Sequence, residues 1–329
     1  MSIRDYLKLS IVIAFSFPLF MISCDAGDSG KFETKKKPEQ IDYKPILGRW
    51  DVTVYDLFGV YPSWFEIEEK DGELSGRFVG RAGSARPIQY LHFDGERLHL
   101  SLPPQYEKPV EDLLFIGSVM KGKIEGKTKS EAGELVRFCA TRAPAFKFST
   151  ESEWGDPINL LEKTDLSQWV PRNLNNPYGW IIMDGVLINK PPSVDLVSTQ
   201  KFKDFKLHIE FNIPPKSNSG VYLRGRYEVQ VTDDYGQEPH SRRCGGIYGF
   251  IAPTEMAVKP AGEWNTYDIT LIGREVTVIF NGKTVIDHIE IPGITGGAID
   301  SREAEPGPIM LQGDHGAIQY RNIIVIPAK

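Results

Sequence analysis

Residues 276–286 read Val276-Thr277-Val278-Ile279-Phe280-Asn281-Gly282-Lys283-Thr284-Val285-Ile286. β-Branched and aromatic side chains crowd both halves. The Asn-Gly pair between them is the dipeptide that most readily takes the two positive φ values of a two-residue hairpin. The stretch therefore predicts two antiparallel strands. Similar runs lie on both sides: Tyr178–Leu187, Phe202–Phe211, Gly220–Arg224 and Tyr227–Val231 before it, with Tyr267–Ile272 and Ile323–Ile326 flanking it more closely. So many short strands predict an all-β fold, and over residues 156–328 they suit a two-sheet jelly-roll sandwich.

A second, smaller set of strands precedes this one. Trp50-Asp51-Val52-Thr53-Val54 alternates, and Ser63-Trp64-Phe65-Glu66-Ile67 runs into Lys70-Asp71-Gly72-Glu73, a hairpin turn. Phe93-Asp94-Gly95-Glu96 and Lys121-Gly122-Lys123 supply further turns. Residues 45–144 thus predict a small antiparallel β-barrel or sandwich, whose Gly48-x-Trp50 start is similar to that of lipocalins. Its loop Arg77-Phe78-Val79-Gly80-Arg81-Ala82-Gly83-Ser84-Ala85-Arg86 has two readings: an anion or sugar contact, or a bulged strand with solvated arginines. Leu102-Pro103-Pro104-Gln105-Tyr106-Glu107 reads as a rigid loop at the mouth of this domain. Residues 143–157 read as a linker.

At the N-terminus, Arg4 and Lys8 precede an apolar run from Leu9 to Phe20 that is too short and interrupted for a spanning helix of about 20 residues. Charge, apolar stretch and a small residue before the cut predict a signal peptide over 1–23. Met21-Ile22-Ser23-Cys24 resembles a lipobox, which implies lipidation at Cys24 and a protein exported and held at a membrane. Asp25 leaves inner and outer membrane both open. Residues 24–44, with Lys35-Lys36-Lys37-Pro38, read as a flexible tether. A net charge of −6, evenly spread, argues against a nucleic-acid partner. Three cysteines make no disulfide framework; Cys139 and Cys244 read as free thiols, with a bridge between the domains as the alternative.

Alternation along a strand assigns faces from the sequence alone. Leu207, Ile209 and Phe211 share a core face, which turns His208 and Glu210 away from it. Val221 and Leu223 point inward and leave Tyr222 and Arg224 opposite. Tyr227, Val229 and Val231 alternate with Glu228 and Gln230, and Ile309 and Leu311 with Met310 and Gln312. His315 follows in a glycine-flanked loop. The resulting set of Glu210, Tyr222, Arg224, Glu228, Gln230, Gln312 and His315 is either a surface for sugar hydroxyls or a solvated outer sheet face with weak Glu–Arg pairs.

Asn218-Ser219-Gly220-Val221-Tyr222-Leu223-Arg224-Gly225 followed by Tyr227-Glu228-Val229-Gln230-Val231 resembles the core of the 3-keto-disaccharide hydrolase domain family. Gly246-Ile247-Tyr248-Gly249, Gly262-Glu263-Trp264-Asn265, Asn281-Gly282, Ile309–Gly316 and Tyr320-Arg321-Asn322-Ile323 extend the resemblance in order, over about 158–327. It implies a concanavalin- or laminarinase-like sandwich acting on oxidised di- or oligosaccharides, or other glycosides, that carry a ketone at C3. Such a ketone acidifies the C2 proton. A base can then remove it, the C1 substituent leaves by elimination, and water adds back. That demand suggests Glu228 or His315 as base, Arg224 with Gln230 at the enolate, and Glu210 as acid or as partner of Arg224. Tyr222, Tyr248 and Trp264 would stack on the sugar, and Asn218 and Gln312 would hold hydroxyls; core packing is the other reading of Tyr248 and Trp264. No cofactor is required, although a divalent cation on Glu210, Glu228 and His315 would replace Arg224 as electrophile. A non-catalytic carbohydrate-binding lipoprotein and a structural surface protein are the competing readings.

Overall fold

The computed structural model describes residues 41–108, 111–146, 153–161 and 165–329; the signal peptide, Cys24 and most of the tether lie outside them. Among the described residues there is no α-helix.

Nine strands make the first module: β1 (Gly48–Asp56), β2 (Gly59–Lys70), β3 (Glu73–Val79), β4 (Arg86–Pro87), β5 (Tyr90–Phe93), β6 (Arg97–Leu102), β7 (Leu113–Met120), β8 (Lys123–Lys129) and β9 (Leu135–Arg142). They form one antiparallel sheet in the order β4-β3-β2-β1-β9-β8-β7-β6-β5. Its two ends belong to one continuous segment. Ile88 N donates to Gly76 O and Gln89 N to Ser101 O, so residues 86–93 bridge β3 to β6 and close the sheet into a barrel. Of the two forms open to residues 45–144, the chain takes the barrel. Trp50, Phe65, Phe78, Phe93, Phe115 and Phe138 fill its interior. A cavity of only about 20 Å³ remains at its mouth, room for about one water.

The second module comprises β10 (Ile158–Asn159), β11 (Trp169–Pro171), β12 (Trp180–Met183), β13 (Val186–Asn189), β14 (Leu196–Phe202), β15 (Phe205–Asn212), β16 (Asn218–Leu223), β17 (Tyr227–Thr232), β18 (Trp264–Ile272), β19 (Glu275–Phe280), β20 (Lys283–Glu290), β21 (Gly307–Leu311) and β22 (Ile318–Pro327). A large sheet runs β12-β13-β22-β15-β18-β19-β20, with β10 on β22, and a small one runs β11-β14-β21-β16-β17. This is the two-sheet jelly roll. The Asn281-Gly282 hairpin joins β19 to β20 with Phe280 opposite Lys283, its φ values +50° and +80°. Leu207, Ile209, Phe211, Tyr267, Ile269, Val276, Val278 and Phe280 from the large sheet meet Leu196, Val221, Leu223, Val229, Val231, Ile309 and Leu311 from the small one. Cys139 and Cys244 are both free thiols.

The modules are docked, and the contact begins with side chains that alternation turns out of the barrel. Trp64 on β2 and Val79 on β3 are fully buried in the sandwich core. Trp64 meets Phe250 edge-on with centroids 5.4 Å apart, and the Arg77 guanidinium covers both rings. A Cβ on Gly293 would lie 2.1 Å from Trp64 Nε1, so only glycine admits the indole here. Arg49 Nη1 pairs with Glu290 Oε1 at 2.6 Å, and the Thr53 and Ser301 hydroxyls lie 3.0 Å apart.

Two carboxyls also meet in this interface. Asp51 of β1 lies against the fully buried Glu303, which accepts from Tyr227 Oη at 2.8 Å and Arg274 Nη1 at 3.2 Å. Burial, then the Glu303 charge and hydrogen bond, hold the Asp51 carboxyl protonated far above its ordinary range; Arg274 and Arg226 only partly oppose this. The native state therefore holds a proton that the unfolded chain releases above about pH 4, and this contribution to stability is lost progressively as pH rises from there towards about 9. Asp51→Asn keeps the neutral donor. Thermal unfolding from pH 5 to 9 is expected to show the variant's advantage growing with pH; parallel profiles would remove Asp51 as the cause.

Candidate active site

The floor of the site is the outer face of the small sheet. Tyr222 on β16 stands opposite Glu228 on β17, and Gly220 opposite Gln230. The missing side chain of Gly220 makes room for the acid, because a Cβ there would sit 2.3 Å from Glu228 Oε1. Unlike an ordinary outer face, this one is sealed: Tyr222 is 2% exposed, Gln230 3%, Glu228 4% and Gln312 8%. Loops and the barrel cover it, so its polar residues are enclosed in a cleft.

Burial pushes the Glu228 carboxyl up to about 8; Asp195 and Asp314 add to the rise, while the Tyr222 hydrogen bond and the His315 charge oppose it. Tyr222 Oη lies 2.9 Å from Glu228 Oε2 and 2.9 Å from Gly296 O, with Gln312 Nε2 at 3.5 Å. A phenol has one proton. It can donate to ionised Glu228, or turn to Gly296 O when Glu228 carries its own proton.

Above the floor, His315 follows β21 and its Nδ1 pairs with Asp314 Oδ1. That hydrogen bond raises the His315 pKa. On Asp314, burial pushes upward but the His315 bond and charge win, and the carboxyl is held low. Asp195 accepts from Gly313 N at 3.1 Å and from Arg172 Nη1 at 3.0 Å; burial raises its pKa. Arg172 also donates to Gly297 O and Ala298 O, at 2.7 and 2.9 Å, tying the 296–298 loop to β14.

The cleft holds about 1160 Å³. Asn218, Tyr222, Glu228, Gln230, Tyr248, Gln312 and His315 line it together. Among the described residues, the buried Gln312 Oε1 and Asn218 Oδ1 have no hydrogen-bond partner. Such atoms are costly unless a ligand or water hydroxyl reaches them.

Three expected residues lie elsewhere. Arg224 follows the last residue of β16 at φ +53°, so the alternation that would set it beside Tyr222 no longer applies. Its side chain is fully buried on the core side, where Nη2 donates to Tyr227 Oη at 3.1 Å and to Gly273 O. Glu210 does turn away from the core, but β15 belongs to the large sheet. Its carboxylate binds Arg321 and Asn322 at 2.7 and 2.6 Å on the opposite side of the sandwich. Trp264 starts β18 in that same sheet, with the Arg321 guanidinium 4.0 Å over its ring. Glu210, Glu228 and His315 are thus not assembled, and among the described residues no group of three His, Cys, Asp or Glu is placed to hold a metal ion.

Sequence reasoning misses Arg172, Asp195 and Asp314. Asp314 lies inside the Ile309–Gly316 motif, whereas Arg172 and Asp195 sit beside short strands with no alternation to mark them. The barrel residues of the cleft (Tyr61, Arg81, Tyr106 and Glu131) carry no signal that points to the sandwich at all.

The profile of the family described as the 3-keto-alpha-glucoside-1,2-lyase-like domain matches residues 156–326, the sandwich without the barrel. No curated protein sequence matches the chain. A candidate glycosyl hydrolase of known structure from Parabacteroides distasonis is 33% identical over 53% of this chain and 84% of its own, with a TM-score of 0.46. Another from the same organism is 27% identical over 52% of this chain and 98% of its own, with a TM-score of 0.41.

Tyr222→Phe is expected to move the Glu228 carboxyl further up, since it removes the hydrogen bond that favours the ionised form. Carboxyl NMR titration reads this directly, and an unmoved midpoint would show that the phenol does not act on Glu228.

Proposed function

From the premise that the chain belongs to the 3-keto-alpha-glucoside-1,2-lyase-like family, we propose that its cleft cleaves glycosides already oxidised to a ketone at C3. The chain is a carbohydrate-active protein of glycosyl hydrolase-like kind; the oxidised substrate is the further step. The observation that carries it is the buried Glu228 carboxyl, pushed up to about 8 in a cleft whose buried Gln312 Oε1 and Asn218 Oδ1 have no partner, while the other buried acid there, Asp195, is held by Arg172 and Gly313 N. Ordinary glycosidases use two carboxylates flanking the scissile bond. Elimination beside a ketone needs one base, one donor to the enolate and one acid.

In this reading ionised Glu228 takes the proton from C2, and the C2–H electrons pass into the enolate at C3. Tyr222 Oη and Gln312 Nε2 donate to that oxygen. The C1–O bond then breaks with its electron pair on the departing oxygen, which takes a proton from His315, whose pKa the Asp314 hydrogen bond raises. Water adds at C1, a proton returns to C2, and the net result is hydrolysis. Gln312 Oε1 and Asn218 Oδ1 accept from sugar hydroxyls. No step uses Arg224 or Glu210.

Aglycone release from 3-keto-glucosides tests the proposal. Glu228→Gln is expected to lower kcat by at least about a thousandfold, and His315→Ala by about a hundredfold, with KM changed much less. Below about pH 8, kcat/KM should rise about tenfold per pH unit as Glu228 ionises. Activity that survives Glu228→Gln, or sugar binding without release, would overturn the catalytic reading. The same assay run with a chelator reports any dependence on a divalent cation.

The proposal places this chemistry at a membrane surface, exported and tethered through Cys24 and the 24–44 spacer. Cys24→Ala is expected to shift the chain from the membrane fraction to the soluble one. Equal partition of variant and parent would refute lipid attachment.

A further inference from the structure

One wall of the cleft is made by residues outside the family match. Tyr61, Arg81, Ala82, Gly83, Tyr106 and Glu131 come from the barrel, whereas the match begins at residue 156.

This wall is preformed. Gly297 N donates to Arg81 O at 3.0 Å. A Cβ on Gly296 would lie 2.2 Å from Gly83 O, and one on Gly249 2.6 Å from Ser84 Cβ. The barrel loop 81–84 therefore sits directly on two sandwich glycines, with no gap for either surface to shift into. Behind it, Ser84 N donates to Gln105 Oε1, and the Arg86–Glu107 ion pair at 2.8 Å braces the loop that carries Tyr106. The two loops whose role the sequence leaves open thus support each other and face the cleft.

The chemistry of the wall is aromatic, with one acid, Glu131, and one cation, Arg81. Tyr106 is 62% exposed, and its phenol is bonded to that of Tyr248 on the sandwich side. Tyr61 lies beneath the Arg81 guanidinium at 5.6 Å, and among the described residues no carboxylate forms an ion pair with Arg81. Exposed aromatic faces in a cleft hold flat rings, and a free guanidinium adds hydrogen bonds or stacks on them. The cleft volume of about 1160 Å³ exceeds the range that encloses whole drug-sized ligands, and is more than one sugar ring needs.

We propose that the barrel is the leaving-group subsite: its Tyr106, Arg81 and Tyr61 wall binds a second ring joined to the reacting sugar. This rests on the cleavage reading only for the words "leaving group"; the recognition of a second ring stands on the wall itself. Both a sugar ring and an aromatic aglycone offer the flat apolar face that such a wall takes. The barrel then sets which glycosides are bound, and the sandwich supplies the chemistry.

The test uses the full-length chain in detergent carrying Glu228→Gln, so that binding is read without turnover. Calorimetry compares the methyl, phenyl and glucosyl 3-keto-glucosides, which share the reacting sugar and differ in what leaves. The ring-bearing ligands are expected to bind at least about tenfold more tightly than the methyl one. Tyr106→Ala or Arg81→Ala should shrink that ratio to below about threefold. The phenyl and glucosyl arms distinguish an aromatic aglycone from a second sugar. Equal binding of all three ligands, or a ring preference untouched by both variants, overturns the subsite. Turnover by the parent chain without ring preference would leave the cleavage reading standing and the subsite refuted. Ring preference without turnover would do the reverse, and no binding by any ligand would sink both.

Discussion

Trp64 is made by the barrel and buried in the sandwich. Alternation along β2 turns it away from Phe65 and the barrel interior, where an exposed indole would leave about 200 Å² of apolar surface in water. Placed against Phe250 and over Gly293, it is sealed instead. At about 25 cal/mol per Å², that burial contributes up to about 5 kcal/mol to holding the modules together. The rest of the active region depends on this contact. It brings the 81–84 loop onto Gly296 and Gly297, and that loop completes the cleft around Glu228.

Enclosure sets the electrostatics. Asp51 and Glu228 both carry raised pKa values, and they do different things. Asp51 meets another acid in a tight interface and keeps its proton, a neutral hydrogen-bond donor between modules. Glu228 lies at the bottom of the cleft, its carboxyl pushed up to about 8, with a phenol at 2.9 Å and above it an imidazole whose pKa Asp314 raises, so that it can gain or lose a proton near neutrality. Burial raises both. What distinguishes the two is the neighbour: Glu303 for Asp51, and Tyr222, His315 and the cleft for Glu228.

Arg172 has a comparable role in the fold around the site. Its guanidinium joins Asp195 to the carbonyls of Gly297 and Ala298, and these same residues lie beneath the barrel loop. Asp195 in turn receives the N–H of Gly313, next to Asp314 and His315. One planar cation thus links the loop that touches the barrel to the loop that carries the imidazole. A lysine has neither the fork nor the planarity for that set of bonds.

Much of this is written in local pattern. Asn281-Gly282 and Asp71-Gly72 take the positive φ values that their chemistry favours, and the hairpins follow at those positions. Alternation places Tyr222, Glu228, Gln230 and Gln312 on one face, because side chains along a strand depend only on its period of two. It fails at Arg224, where the strand ends and the period with it. It also fails at Glu210, where the face is right but the sheet is not. Which strands share a sheet is a matter of long-range pairing that no local period encodes. The same holds for Trp64, Arg81 and Tyr106, whose meaning comes from a surface more than a hundred residues away. The β class, the hairpins and the polar row around Glu228 follow from local pattern; that this row is buried, shifted in its acidity and walled by the barrel follows from the fold, because burial depends on what lies across a gap in space and not on what lies next along the chain.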